Sequence, residues 1–245
     1  MKFKPSEGKP FVSAVIPAAG RGRRMGAKIN KQFMKLKGAP VLYWTIRAFD
    51  RCDAVDEIVV VLHPDEKSTF QREIFSPYAF DHPIKMVPGG ETRSASVYNG
   101  LKGVDPRCGV VLIHDGARPL IQNQLILDCI ESAVRHRAAI AAVPAKNTIK
   151  SVRAIPDEPG GLEVDRTLDR STLYEIQTPQ AFDYHLILEA YQRAADRHLE
   201  ATDDAALVES MGQPVAIVPG AYQNIKITTA EDLKVVDGLI SFFNS

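Results

Sequence analysis

Continuous apolar runs alternate with helical patterns along this 245-residue chain, and this alternation limits the fold more than any other feature. Apolar runs without polar interruption are typical of strands that are buried on both faces. We expect such strands at Val12 to Ile16, Glu57 to Leu62, Ile84 to Val87, Val110 to Ile113, Ala138 to Val143 and Val215 to Val218. The sequence therefore predicts an α/β fold, with a mostly parallel mixed sheet and helices on both faces.

Capping residues predict where the connecting helices begin. We expect helices to begin at or just after Pro40, Asp65, Thr92, Asn123, Asp183, Thr202 and Thr229. The alternating segment Asn224 to Thr228 predicts one further short strand.

Residues 145–171 break this α/β rhythm. Thr148 to Val152 and Leu162 to Leu168 alternate in polarity on either side of a Pro- and Gly-rich turn, which indicates a β-hairpin. An isolated hairpin is barely stable in water, so this one is expected to pack on another surface. A surface insertion with ordinary charges is the alternative. We expect one domain, residues 1–245, with a projecting arm at about 145–171.

A basic, glycine-rich loop follows the first strand. Gly20, Gly22 and Gly26 are interleaved with five cations, namely Arg21, Arg23, Arg24, Lys28 and Lys31. Between Lys9 and Phe49 there are nine Lys and Arg and no Asp or Glu, although the whole chain is formally neutral. Glycines expose backbone N–H groups and cations neutralise charge, so the loop predicts a polyphosphate site. A basic loop that is merely solvated is the alternative.

Two common nucleotide-binding motifs do not fit this loop. Its glycines are spaced G-x-G-x-x-x-G, one residue away from the dinucleotide fingerprint, and no acidic residue follows within twenty positions to bind a ribose. Gly26 is followed by Ala27 and Lys28, whereas the P-loop requires Gly-Lys and then Ser or Thr. Nicotinamide dehydrogenases and P-loop enzymes are therefore disfavoured.

Bulk properties exclude several other classes. The net charge of zero argues against general nucleic-acid binding, and no apolar run approaches membrane-spanning length. The first ten residues lack the apolar core of a signal peptide, so a cytoplasmic location is expected. The three cysteines lack C-x-x-C spacing, which disfavours a zinc site or a disulfide framework.

Asp115 follows a predicted buried strand directly. The carboxyl ends of parallel strands form the rim where such sheets bind ligands, so Asp115 is a candidate to contact a divalent metal or a substrate hydroxyl. It could instead cap its own turn and pair with Arg118. In the helix after Gly90, Arg93 and Ser96 lie at three-residue spacing, which fits either a ligand-binding stripe or a solvated face.

Several segments together resemble one family. PAAGRGRRMG with KQF, GGETRSASV, HDGARP, DRSTLYEIQTPQAF, TDDAALVE and NIKIT occur in the order found in 2-C-methyl-D-erythritol 4-phosphate cytidylyltransferases. The resemblance extends from about Val12 to the last helix. It implies a Rossmann-like nucleotidyltransferase fold whose arm reaches a twin subunit, so that a homodimer shares its active sites.

The resemblance also implies site residues. Arg24 and Lys31 match two catalytic cations on the triphosphate. The residues expected at CTP are Pro17, Ala18, Ala19, Gly20, Gly22, Gly90, Arg93, Ser96 and Asp115. Those expected at the second substrate are Asp115, Arg118, Thr148, Arg170, Thr178 and Lys226, and Pro179 is expected to leave the Thr178 hydroxyl free to bind it.

The implied reaction is transfer of CMP from CTP to 2-C-methyl-D-erythritol 4-phosphate, in non-mevalonate isoprenoid synthesis. Mg²⁺, or another divalent cation such as Mn²⁺, would be held mainly by the CTP phosphates, with Asp115 as a possible ligand. Many family members have an acidic residue where Gln223 aligns in this chain. This difference weakens the case for a second carboxylate that helps to hold the metal. The alternatives are activation of another polyol phosphate, such as ribitol 5-phosphate, and a non-catalytic nucleotide-binding regulatory module.

Overall fold

A computed structural model describes residues 8–20, 30–197 and 201–243. Its strands are β1 (Phe11–Pro17), β2 (Lys35–Leu36), β3 (Ala39–Pro40), β4 (Glu57–Leu62), β5 (Ile84–Pro88), β6 (Cys108–Ile113), β7 (Ala138–Pro144), β8 (Lys150–Ala154), β9 (Leu162–Thr167), β10 (Tyr174–Asp183) and β11 (Ala216–Pro219). Its α-helices are α1 (Val41–Asp50), α2 (Lys67–Phe70), α3 (Arg93–Lys102), α4 (Asn123–His136), α5 (Tyr184–Arg197), α6 (Asp204–Glu209) and α7 (Ala230–Phe243).

Seven strands form one mixed sheet in the order β11-β7-β10-β6-β1-β4-β5. Only β10 runs antiparallel to its neighbours β6 and β7, and the other pairs in this sheet are parallel. The expected mostly parallel mixed sheet is therefore confirmed. Strand β4 lies at its predicted bounds, and all six of its residues, Glu57 and the five apolar residues that follow it, are buried.

Helices cover both faces of this sheet. Alternate side chains of β1 point to opposite faces, so Ile16 packs with residues of α1 and α4, whereas Val15 packs with residues of α3 and α5. A third apolar cluster joins α7 to the segment after β6, including Ile240 and Leu120. No helix in the described part of the chain is long and apolar enough to cross a bilayer.

The parallel strands β1, β4, β5 and β6 direct their carboxyl ends to one edge of the sheet. They end at Pro17, Leu62, Pro88 and Ile113. The loops that carry most of the sequence-derived candidates leave the sheet at this edge, so strand direction alone brings together segments that are distant in sequence.

Some predicted elements differ from those observed. Residues 224–228 form no strand, although Ile227 N–H donates to the Ala117 carbonyl (2.9 Å). His63, rather than Asp65, accepts from the first turn after β4, which is a 3₁₀ turn followed by α2 and a π turn, Gln71–Phe75. Asn123 is the first residue of α4 instead of its cap.

The arm contains the predicted hairpin. Strands β8 and β9 pair antiparallel and form a separate two-stranded sheet. Val152, Leu162 and Val164 remain 53%, 65% and 56% exposed. The hairpin therefore presents apolar side chains that the described part of this chain leaves largely exposed.

Candidate active site

A cavity of about 580 Å³ opens at the carboxyl edge of β1, β4, β5 and β6. It is lined by Pro17, Ala19, Gly20, Lys31, Gln32, His63, Gly90, Glu91, Thr92, Arg93, Ser96, Asp115, Gly116, Ala117 and Lys226. Its position is the one at which open parallel sheets bind ligands.

Backbone hydrogen bonds tie the loops after β1 and β5 to the end of β4. Ala18 N–H donates to the Val61 carbonyl (2.7 Å), and Gly89 N–H donates to the Leu62 carbonyl (2.7 Å). A β-carbon added at Gly89 would lie 2.4 Å from the Ala19 methyl group, so only glycine allows these two loops to approach so closely. The backbone around Ala19 and Gly20 is thereby held at the cavity wall.

The first turn of α3 is held by two hydroxyl groups. The Thr92 hydroxyl accepts from Ala95 N–H (3.0 Å), which confirms the predicted cap of this helix. The buried Ser96 hydroxyl accepts from Gly90 N–H (3.1 Å) and donates to the Thr92 carbonyl (2.9 Å). Ser96 therefore shapes the Gly90 turn at the point where it lines the cavity.

Asp115 lies at the centre of a cluster of cations. Lys226 Nζ lies 2.7 Å from Oδ2, Arg118 Nε lies 3.8 Å from Oδ2, and Arg93 Nε lies 3.5 Å from Oδ1. Burial alone would raise the pKa of Asp115, but the charges of Arg93, Lys226 and Arg118 outweigh it and hold the pKa below its usual range. The carboxylate stays ionised and fixes three cations at the cavity.

Arg93 is held from its other side by Asp204. Its two terminal nitrogens donate to the two Asp204 oxygens, at 2.9 and 2.8 Å, in a bidentate pair. Burial opposes the charged guanidinium, yet the charges of Asp204 and Asp115 raise the pKa of Arg93 above its ordinary value. Arg93 thus bridges two carboxylates and remains charged.

His114 fixes the turn that carries Asp115. The Thr178 hydroxyl accepts from Asp115 N–H (3.1 Å) and lies 3.1 Å from His114 Nδ1, while His114 Nε2 lies 3.1 Å from the Arg118 carbonyl. A carbonyl oxygen can only accept, so Nε2–H donates to Arg118, and Nδ1 of the neutral ring then accepts from the Thr178 hydroxyl. Complete burial lowers the pKa of His114 to about 4, so the neutral ring is favoured.

Lys31 reaches the cavity from a 3₁₀ turn, Lys31–Phe33, which Asn30 caps through its side chain. Its ammonium group donates to the Ile227 carbonyl (2.9 Å). Ile227 directly follows Lys226, so this bond holds the Lys31 ammonium group against the backbone of the segment that carries Lys226. The described cations at the cavity outnumber its carboxylates, which suits a polyanionic ligand.

Comparison with known proteins identifies the family. The family model for 2-C-methyl-D-erythritol 4-phosphate cytidylyltransferase matches residues 12–241. A protein of that name from Caldanaerobacter subterraneus subsp. tengcongensis is 46% identical, over 92% of this chain and 97% of its own length. One from Alkaliphilus oremlandii is 44% identical, over 93% and 94%.

The chain belongs to the 2-C-methyl-D-erythritol 4-phosphate cytidylyltransferase family. Solved structures agree with this assignment. The 4-diphosphocytidyl-2C-methyl-D-erythritol synthase of Anaerococcus prevotii has a TM-score of 0.81 and 35% identity, covering 95% of this chain and 99% of its own. The cytidylyltransferase of Thermus thermophilus has a TM-score of 0.75 and 33% identity, covering 94% and 99%. The Rossmann-like nucleotidyltransferase fold expected from the resemblance is confirmed.

Most of the residues that family resemblance singled out meet at one cavity. Pro17, Ala19, Gly20, Lys31, Gly90, Arg93, Ser96, Asp115 and Lys226 all line it. Arg118 does not line it but contacts Asp115, and it donates to the Asn224 carbonyl (2.7 Å). Burial lowers the pKa of Arg118 although Asp115 opposes this shift. Gly22 and Arg24 lie outside the described residues.

Four further site candidates do not line this cavity within the described residues of one chain, and the ligand contacts predicted for them stay predictions. Ala18 does not line the cavity, because its methyl group is buried and its N–H is bonded to Val61. The Thr178 hydroxyl was expected to be free, but it is buried between Asp115 and His114. Thr148 and Arg170 are exposed on the arm and do not line this cavity, and Arg170 donates to the Lys146 carbonyl (2.8 Å).

Sequence reasoning missed several residues of the site. Gln32, Gly116 and Ala117 line the cavity and lie inside the KQF and HDGARP segments, so proximity to known candidates could have indicated them. Glu91 likewise lies next to Gly90 in the GGETRSASV segment, whereas His63 gave no comparable signal. Asp204 was missed as well, because nothing in the sequence pairs it with Arg93, which is 111 residues away.

Proposed function

We propose that this chain transfers CMP from CTP to 2-C-methyl-D-erythritol 4-phosphate, releasing pyrophosphate and forming 4-diphosphocytidyl-2-C-methyl-D-erythritol. One observation carries the proposal: residues from five of the family's segments, PAAGRGRRMG, KQF, GGETRSASV, HDGARP and NIKIT, converge on one cation-rich cavity at the carboxyl edge of the sheet. The whole chain would act as one nucleotidyltransferase domain from which the arm projects.

The chemical step is an in-line displacement at the α-phosphorus of CTP. A phosphate oxygen of the acceptor forms a bond to that phosphorus, and the bond to the α,β-bridging oxygen breaks, so that pyrophosphate leaves with the bonding electrons. The second pKa of a phosphate monoester is about 6, so the nucleophile is mostly ionised at neutral pH. It therefore needs no general base. Catalysis therefore depends on positioning and on stabilising charge.

The described residues supply both requirements. Lys31 would lie against the triphosphate, while the Asp115 carboxylate would hold Lys226 and Arg118 in place for the acceptor phosphate. The backbone around Ala19, Gly20 and Gly90 would bind the nucleotide, with Ser96 maintaining the Gly90 turn. Arg24 would add a second cation to the triphosphate.

A divalent cation such as Mg²⁺ fits this site if it binds together with the nucleotide. The described residues contain no cluster of three potential metal ligands, and the oxygens of Asp115 already contact three cations. Mg²⁺ would therefore be held mainly by the CTP phosphates, and Asp115 would be the protein carboxylate that contacts it. Such a cation neutralises charge on the phosphate oxygens.

The arm supports a shared site in a homodimer. Its apolar residues are exposed, and Thr148 and Arg170 do not line the cavity of their own chain. A second copy of this chain would cover the apolar face and bring Thr148 and Arg170 to the acceptor phosphate of its neighbour. A standard interface buries roughly 800 Å² on each partner, and an arm with a neighbouring surface can provide this area.

Pyrophosphate release tests the proposed function. The protein is incubated with Mg²⁺ and CTP, UTP or ATP, each with 2-C-methyl-D-erythritol 4-phosphate or with ribitol 5-phosphate. We expect release with CTP and methylerythritol phosphate. Faster release with ribitol 5-phosphate would show that the acceptor is a different polyol phosphate from the one proposed. If the protein binds CTP but releases pyrophosphate with neither acceptor, it would be a regulatory module.

A further inference from the structure

We propose that Asp204 is a positioning residue for the transfer reaction, because it holds the Arg93 guanidinium in the orientation in which Arg93 reaches both the cavity and Asp115. This inference rests on the proposed function. It assigns Asp204 a role beyond that of an acidic residue in the first turn of a short helix.

The geometry around Asp204 leaves its carboxylate no freedom. The residue is 0% exposed, Oδ1 accepts from Arg93 and from the Tyr191 hydroxyl, and Oδ2 accepts from the other terminal nitrogen of Arg93. Asp204 itself does not line the cavity. A buried carboxylate with this set of donors can act on the site only through Arg93.

Arg93 carries the effect to the cavity. Its side chain is 35% exposed and lines the cavity, and its Nε lies 3.5 Å from Asp115 Oδ1. A guanidinium has five N–H groups, so the bidentate pair and the Nε–H leave two for a ligand. Without Asp204, the guanidinium would be free to rotate, and it would move toward Asp115 as its only described carboxylate partner.

A neighbouring residue provides a matched control. Asp203 caps α6 by accepting from Ala206 N–H (3.1 Å) and also accepts from Gln180 (2.9 Å), so it stabilises the same helix without contacting Arg93. If Asp204 only anchors α6, Asp204→Asn and Asp203→Asn should have similar consequences. If Asp204 positions Arg93, only Asp204→Asn should impair the reaction.

The test is a double-mutant cycle on kcat/KM for CTP. Asp204→Asn should lower kcat/KM at least about tenfold, which corresponds to about 1.4 kcal/mol of lost transition-state stabilisation. In an Arg93→Lys background, which cannot form the bidentate pair, the same change should lower it less than about threefold. Asp203→Asn should lower the Tm while changing kcat/KM less than about threefold. Tyr191→Phe, which removes one neutral hydrogen bond, should give a smaller loss in the same direction.

Independent, multiplicative effects of Asp204→Asn and Arg93→Lys would overturn the inference, as would equal kinetic losses in the Asp203 and Asp204 variants. If Asp204→Asn does not fold, the cycle is run with Tyr191→Phe and Arg93→Lys, where additivity has the same meaning. A wild-type protein that releases no pyrophosphate would instead refute the proposed function. An active wild type with an unimpaired Asp204→Asn variant would refute this inference alone.

Discussion

Among the described residues, Lys31 is the one whose loss we expect to lower the reaction rate most. Lys31→Ala should lower kcat by roughly 10²- to 10³-fold, because an electrostatic donor placed against developing charge typically contributes that much. The fold should persist, since Lys31 is only partly buried and its ammonium group donates to the Ile227 carbonyl at the cavity rather than within the core. Single-turnover kinetics with CTP and methylerythritol phosphate measure this directly.

Lys35 is the matched control for Lys31. It lies four residues further along the chain, is exposed, and pairs with Glu73 on the surface at 2.9 Å. Lys35→Ala should leave the rate within about twofold, because exposed pairs contribute little. A loss below tenfold in Lys31→Ala, or equal losses in both variants, would mean that Lys31 is ordinary surface charge.

The buried imidazole of His114 should make stability depend on pH. Burial lowers its pKa from 6.5 to about 4, so between these values the unfolded chain binds more protons than the folded protein. The free energy of unfolding should therefore rise with pH across this range, by up to about 3 kcal/mol for this group. Urea unfolding at pH 4.5 and pH 6.5 measures the slope.

His114→Gln removes the titrating group and provides the comparison. Its overall stability should fall, because the bonds to Thr178 and Arg118 change, but its slope between pH 4.5 and pH 6.5 should be shallower than that of the wild type. Parallel slopes for the two proteins would show that His114 does not remain neutral in the folded state.

At the scale of elements, the apolar runs were enough to place the parallel strands of the seven-stranded sheet. Strands β1, β4, β5, β6, β7 and β11 were all expected within two residues of their bounds, because buried parallel strands need continuous apolar sequence. Strand β10 was not anticipated as one ten-residue element. It contains Pro179 and polar residues, which argue locally against a central strand, and its pairing with β6 and β7 shifts register between Ile176 and Gln180.

The opposite error occurred at residues 224–228, where a strand was predicted but none forms. Alternating polarity shows that a segment is extended, but it does not supply a neighbouring strand, and this segment makes isolated backbone bonds such as that of Ile227 to Ala117. The same limit applies to the site. Glycines and cations in sequence predicted an anion-binding cavity, whereas the pairings of Arg93 with Asp204 and of Thr178 with His114 depend on tertiary structure.

A buried carboxylate at the amino-terminal end of β4, on the side of the sheet away from the cavity, should contribute to stability without affecting activity. The buried Glu57 carboxylate accepts from the Ser13 hydroxyl (2.7 Å) and Asp105 N–H (2.5 Å), and it pairs with Lys85 (2.7 Å). It thereby joins β1, β4, β5 and the turn before β6. Glu57→Gln should lower the free energy of unfolding by about 2 kcal/mol, because a buried charged hydrogen-bond acceptor is lost.

Urea unfolding and steady-state kinetics together check this separation. Glu163→Gln, which removes the exposed pair with Arg153 (2.7 Å), should change stability by less than about 0.5 kcal/mol. Neither variant should change kcat/KM at temperatures well below its Tm. A kinetic defect in Glu57→Gln would show that the two edges of the sheet are coupled.

At the scale of the whole molecule, the arm predicts complementation between subunits. Arg170→Ala and Lys31→Ala should each be impaired alone, because each removes a cation from the proposed site. Mixed and allowed to exchange subunits, they should recover up to about a quarter of wild-type activity, since one site in some heterodimers then contains both native cations. Activity is measured before and after exchange.

A Lys31→Ala and Lys226→Ala mixture is the control for this experiment. Both of these lysines line the cavity of their own chain, so exchange cannot restore a complete site from them. Recovery in the control mixture, or none in the Arg170 mixture despite verified subunit exchange, would contradict the shared site.

The central claim is that the cavity at the carboxyl edge of β1, β4, β5 and β6 binds the nucleotide that reacts. Crystals soaked with CTP and Mg²⁺ test it most directly. The account predicts CTP density against Ala19, Gly20 and Gly90, with the triphosphate beside Lys31. An empty cavity in crystals whose CTP is bound elsewhere would contradict it.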